Sequence, residues 1–212
     1  MIMKADLRRE LFGIASYEKI TFKRVLFIIG ATVFCTCVNY AGSVIAEIVV
    51  FPLFLDSLLT IGLAALCGLV PALLCALLSN IVLSIFTHCS ILFSVCHICT
   101  AVFACLVFYC AGRKSLSQKI IYSFDSFLWA GFWAAISNAV LGNLIADLVF
   151  AANTGRPSSN TVVQGMYVVI PNLFLVNNIA GMVENFVDKI LSALLSFCFY
   201  KPGIKIIMAA GL

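Results

Sequence analysis

Along this chain, long apolar runs alternate with short polar breaks, and the breaks fall where Gly, Pro, Asn and Ser gather. A helix that crosses a bilayer needs roughly 20 apolar residues at 1.5 Å rise each, and dividing the runs at their turn residues predicts six such segments. The first covers 25–46. The second, 55–69, closes at Gly68 and Pro71, and the third, 72–86, follows at once; both are short, which suits a hairpin held within a bundle. The fourth covers 91–111. The fifth, 127–150, stands between a basic loop at 113–119 and a polar loop at 153–160. The last apolar block, 162–200, is too long for one straight crossing; Pro171-Asn172 divides it into a partial or re-entrant helix and a final span near 179–200.

Composition fixes the solvent. The chain has 212 residues, of which 63% are hydrophobic and only 10% charged, against roughly 45–50% and about 25% in a soluble domain. So much apolar surface is stable only in lipid, where the backbone must close its own hydrogen bonds as helices. The fold class expected is an all-α integral membrane protein: a basic arm at 1–24, a six-helix membrane domain at 25–200 and a tail at 201–212.

Charge then orients it. Between Arg24 and Arg113 there is no Lys or Arg, and Glu47 and Asp56 are the only formal charges. Lys4, Arg8, Arg9, Lys19, Lys23 and Arg24 precede the first segment, Arg113, Lys114 and Lys119 follow the fourth, and Lys201 and Lys205 follow the last. Six crossings put these 11 of the 13 cations on one face. The positive-inside rule makes that face cytoplasmic, with both termini there, in a multi-pass protein of the cell membrane. The net charge of +4 follows from this sorting and calls for no nucleic acid; the arm instead suits anionic lipid, with residues 4–20 as an amphipathic surface helix. The first apolar run is too long for a cleaved signal, so it is expected to remain as the first span.

Ten cysteines lie mostly within the predicted spans, where disulfides are not expected and a thiol serves as a small apolar filler. Cys96-His97-Ile98-Cys99, with His88 and Cys89 upstream, raises the alternative of a metal or redox centre. Two thiols and one imidazole fall short of a four-ligand zinc site, and His88 and His97 point to opposite sides of one helix. No metal or cofactor is expected, and no phosphate loop or catalytic motif occurs, so no enzyme activity is assigned.

Polar side chains inside a membrane are costly and face inward, which makes each a candidate for function. The fifth segment carries Asn138, Asn143 and Asp147. The final block carries Asn172, Asn177, Asn178, Glu184, Asn185, Asp188 and Lys189. Glu184 and Asp188 share one helix face, as do Asn185 and Lys189. An interhelical ion pair and contact with a ligand account equally well for these charges. Asn80 suits a helix-to-helix hydrogen bond. Gly42/Ala46, Ala64/Gly68 and Ala72/Ala76 fit the small-x-x-x-small pattern of close helix packing.

Two stretches resemble a known family. Residues 51–60, Phe-Pro-Leu-Phe-Leu-Asp-Ser-Leu-Leu-Thr, followed by Gly68-Leu69-Val70-Pro71-Ala72 and Leu77-Leu78-Ser79-Asn80, are similar to a run in the substrate-binding S components of energy-coupling factor (ECF) transporters. Residues 183–192, Val-Glu-Asn-Phe-Val-Asp-Lys-Ile-Leu-Ser, are similar to an aspartate-lysine helix in that group. The resemblance implies a six-helix binder of a vitamin or other small water-soluble cofactor precursor. It would dock on a coupling membrane subunit that carries two ATPases. It implies a pocket toward the outer side, pointing to Asn138, Asn143, Asp147, Asn178, Asn185, Asp188 and Lys189, and docking through small residues, for which Ala72 and Ala76, or Gly42 and Ala46, are the candidates. The alternative is a membrane sensor or structural protein in which the 184–189 cluster only locks helices.

Overall fold

The computed structural model describes residues 21–87, 89–113 and 122–210. The arm with Lys4, Arg8, Arg9 and Lys19, the surface helix expected at 4–20, His88, Lys114 and Lys119 lie outside the described residues. Those described form seven α-helices and no strand: α1 Phe22–Ile48, α2 Thr60–Cys67, α3 Leu69–Phe86, α4 Ser94–Arg113 after a 3-10 turn at Ile91–Phe93, α5 Phe124–Phe150, α6 Pro157–Val169 and α7 Leu173–Ala209. Among the described residues, five stretches are long and apolar enough to cross a membrane: Phe22–Ile48, Leu69–Phe86, Ile91–Ala111, Phe124–Phe150 and Leu173–Ala209. The protein is an all-helical membrane protein.

The helix ends follow from local chemistry. Thr21 caps α1 by accepting from the Arg24 amide, which satisfies one of the first-turn donors. The second segment forms helix only over the eight residues of α2, about 12 Å long at 1.5 Å per residue and less than half the hydrocarbon core. Residues 49–59 ahead of it are an irregular connection. All eight α2 residues are buried, which accounts for apolar character on every side of so short a helix. Gly68, at φ 84° and ψ −167°, ends α2 and starts α3 in a conformation open to glycine alone. Pro71 then falls in the first turn of α3, where its missing N–H is no loss.

The divided last block has two helices, as Pro171-Asn172 implies, but both are longer than expected. Pro157 stands at the first position of α6, and the Asn172 side chain caps α7 by accepting from the Leu175 amide at 3.0 Å. From that cap α7 runs 37 residues, past the expected end at Tyr200 and through Pro202.

α5 and α7 pack extensively against each other. α5 buries Ala130, Gly131, Ala134, Ala135 and Ala139. At Gly131 an added Cβ would lie 2.8 Å from both the Lys189 carbonyl oxygen and the Ala193 Cβ. Small residues thus let two backbones meet, which matters in lipid because apolar side chains gain little by leaving it for one another. The opposite faces stay apolar and exposed, as with Val183 and Val187 on α7. The connections after α1, α3 and α5 converge, so Phe54, Cys89 and Thr154 border one cavity. Phe108, Tyr122, Phe127, Phe197 and Tyr200 cluster where α4 hands over to α5.

Candidate substrate site

The convergence of three connections over a polar stripe of α7 makes a cavity. Helical spacing carries the stripe, since Asn177, Gly181, Glu184, Asn185 and Lys189 succeed one another at three- to four-residue steps or as neighbours, and all five line the cavity. α5 contributes Asn138, Gly142 and Asn143, α6 contributes Ser159 and Val163, and Phe54, Asp56, Phe93 and Cys96 close the remaining side. The cavity volume is about 40 Å³. The cavity is narrow, with space for a few waters, and it must widen to take a molecule of vitamin size.

Lys189 stands at the centre of the charge network. Its ammonium donates to Asp188 Oδ2 at 2.6 Å, to Ser57 Oγ at 2.6 Å and to Asp56 Oδ1 at 3.2 Å. Asp188 Oδ1 accepts from the Leu55 amide at 2.7 Å. One charged turn of α7 therefore holds the 49–59 connection from below, and the connection needs it, because Val50 and Leu55 have positive φ values of 54° and 46° that side chains disfavour. From above, Arg156 donates to the Phe54 carbonyl at 3.0 Å and to Ser43 Oγ, with its guanidinium 5.2 Å from the centre of the Phe54 ring. Burial alone pushes the Asp56 carboxyl up; Lys189, reinforced by Arg156, outweighs it and holds that carboxyl below the usual carboxylate range.

Glu184 and Asn138 are different. Ser159 donates to Glu184 Oε2 at 2.7 Å, and Asn138 Nδ2 donates to Thr100 Oγ1 at 3.0 Å. Glu184 Oε1 and Asn138 Oδ1 are buried with no partner. A buried acceptor left unmade costs about 1–3 kcal/mol, so two in one cavity mark a place where water or a ligand completes the bonding.

Of the residues expected in a site, Asn138, Asn143, Asn185 and Lys189 line the cavity. Asp188 lies behind it, fully buried under the connection. Asp147 and Asn178 lie outside the lining and cross-link helices, since Asp147 accepts from Asn177 at 2.7 Å and from Asn178 at 2.8 Å. Glu184, Asn177, Asp56 and Ser159 also line the cavity. Asn177 and Glu184 stand among the polar candidates of the final block, whereas Asp56 and Ser159 reach the cavity only through tertiary packing. The small residues expected to dock a partner need correction: Ala46, Ala72 and Ala76 are at most 1% exposed. A Cβ on Gly42 would meet the Leu55 carbonyl oxygen at 2.8 Å. These four residues let the protein's own elements approach and present no surface.

A second polar cluster lies deeper in the bundle. Asn39 donates to Thr60 Oγ1 at 3.0 Å and accepts from the Leu59 amide at 3.0 Å. His97 meets Thr60 Oγ1 through Nε2 at 2.7 Å and Asn80 Nδ2 through Nδ1 at 2.8 Å. The Asn80 amide also donates to the Ala76 carbonyl at 2.9 Å, which fixes which of its ends faces the ring. We therefore assign His97 as neutral with the proton on Nε2. Both ring nitrogens are occupied by bundle contacts, and among the described residues no three His, Cys, Asp or Glu side chains are placed to hold a metal. Asn80 makes the interhelical hydrogen bond expected of it.

Comparison with known proteins returns no match: no family model fits the chain, and neither a curated sequence nor a solved structure is similar to it.

Proposed function

We propose that this protein is the membrane-embedded substrate-binding subunit of an ECF-type importer for a vitamin or other small cofactor precursor. It works with a coupling subunit and two ATPases in the cell membrane. The observation that carries the reading is the cavity beneath the 49–59 connection, walled by two polar helix stripes and holding two buried acceptors without partners. Polar groups are expensive in a membrane, and a structural role alone gives no reason to leave acceptors unmade. The 51–60 and 183–192 stretches that carry the family resemblance meet in this cavity's floor, through Lys189 and Asp56. Counting the short α2 as a sixth pass supports the orientation expected from the positive-inside rule, with both ends of the chain cytoplasmic and the cavity toward the outside. The narrow cavity fits a binder whose connections part to admit substrate and close over it.

Co-purification tests the reading. Tagged protein expressed in its native host should bring down a membrane subunit and ATPases, and proteoliposomes holding that assembly should import the molecule retained on the purified protein when ATP is supplied. Absence of both overturns it.

A specific observation favours a second reading, a sensor or structural membrane protein. The Lys189 network is complete within the chain, so locking of helices accounts for it without a ligand. Under that reading no small molecule is retained on the purified protein.

A further inference from the structure

The unsatisfied groups of the cavity all have the same polarity, and this bears on the substrate that the proposed binding subunit takes. Among the described residues, Lys189 is the single cation in the lining, and an ammonium has three N–H donors. All three are engaged, by Asp188, Asp56 and Ser57, so Lys189 can meet an anion only by abandoning buried partners. Arg156 stands behind Phe54 outside the lining, with both terminal nitrogens engaged by Phe54 and Ser43. Its Nε is without a partner but does not border the cavity. The partnerless atoms that do border it are Glu184 Oε1 and Asn138 Oδ1, on side chains 6% and 2% exposed. Both are acceptors, and they come from facing helices, α7 and α5. Three carboxyl side chains, Asp56, Glu184 and Asp188, stand at or behind the lining against two cationic ones, Lys189 and Arg156. Phe54 and Phe93 supply aromatic walls, whose faces attract cations.

We propose, building on the importer reading, that the cavity takes an organic cation bearing N–H donors, such as an amine, amidine or aminated heterocycle, gripped between Glu184 Oε1 and Asn138 Oδ1. Anionic substrates, including phosphorylated and carboxylated compounds, are excluded because the one lining cation is already neutralised.

The test uses the purified full-length protein and three near-isosteric probes, benzamidinium, benzamide and benzoate, with affinities measured by isothermal titration calorimetry. Benzamidinium should bind at least tenfold tighter than benzamide, and benzoate not measurably. Glu184→Gln should remove the preference for the cation at least tenfold. Asn138→Asp, which keeps an acceptor and adds a charge, should strengthen benzamidinium binding, and it serves if the first variant fails to fold. Equal or tighter binding of benzoate, no binding of any probe, or unchanged selectivity in both variants overturns the proposal. Because these measurements need no partner subunit, their failure is separable from failure of the importer reading: an anion retained on the purified protein and imported by the assembly would refute the charge assignment and leave the importer standing.

Discussion

Replacing Lys189 with Met keeps most of the side-chain volume and deletes the ammonium. In the wild type that ammonium joins two carboxylates, of which Asp188 is fully buried and Asp56 is 14% exposed. Without it, Asp188 keeps only the Leu55 amide and Asp56 loses its nearest countercharge. Removing one member of a buried ion pair costs about 3–5 kcal/mol, chiefly because the surviving charge is uncompensated. That loss shifts the folding equilibrium roughly a hundredfold to several thousandfold, at about 1.4 kcal/mol per tenfold. If the origin is uncompensated charge, the triple variant Asp56→Asn, Asp188→Asn, Lys189→Met should recover most of the loss, since the carboxamide introduced at position 188 can still accept from the Leu55 amide and no ion remains unpaired. Unfolding in mixed micelles, titrated with denaturing detergent and analysed as a mutant cycle, measures both quantities. The reasoning is refuted if Lys189→Met costs less than about 1 kcal/mol, well below the range for a buried pair, or if the triple variant is no more stable than Lys189→Met alone.

Other consequences are equally open to measurement. His97→Leu removes one hydrogen bond from the Asn80 amide, which keeps the Ala76 carbonyl, and one from the Thr60 hydroxyl, which keeps Asn39; at about 0.5–1.5 kcal/mol per bond it should lower stability by about 1–3 kcal/mol, while added zinc should leave wild-type stability unchanged. Gly131→Val drives a side chain into the α7 backbone at Lys189 and Ala193 and should cost at least the roughly 1–3 kcal/mol of an overpacked core. Gly165→Ala, in α6 where an added Cβ meets nothing within 4 Å, should instead gain up to about 1 kcal/mol from helix propensity, read as a higher unfolding temperature. Asp56 is held below the usual carboxylate range in the folded protein, so its contribution is complete above the unfolded value, about 3.9, and is lost as pH falls further. Wild-type thermal stability should therefore decline below about pH 4, with a shallower decline in Asp56→Asn; parallel curves would remove Asp56 from the acid response.

Much of the fold could be read from the chain because lipid imposes so strict a rule. A segment without charges must bury its backbone polarity in helix, and the bounds expected for the fourth and fifth segments lie within about three residues of the observed helices. Pro171-Asn172 and Gly68 mark real helix ends because a missing N–H, a capping amide and a positive φ act locally. The second segment misled for a related reason. Residues 55–59 carry three leucines that continue the apolar run, but Leu55 has positive φ and its amide is bonded to Asp188, a partner 133 positions away. Local propensity carries no record of such a bond.

The same division runs through the site. Cost alone implied that Asn138, Asn143, Asn185 and Lys189 face inward, and helical period alone paired Glu184 with Asp188 and Asn185 with Lys189 on adjoining faces. Neither could say whether Lys189 is free to meet a ligand or already spent on neighbours, because that depends on which loop packs over it. The tertiary structure decided it by laying the 49–59 connection across α7, so that Asp56 and Ser57 join Asp188 in occupying all three donors of the ammonium. It also buried the small residues to which the family resemblance pointed for docking. By itself the sequence determined that the protein lives in lipid as helices and which side chains lipid cannot tolerate; packing decided which of those satisfy one another and which are left open, since satisfaction depends on distance in space and helical period reports only direction.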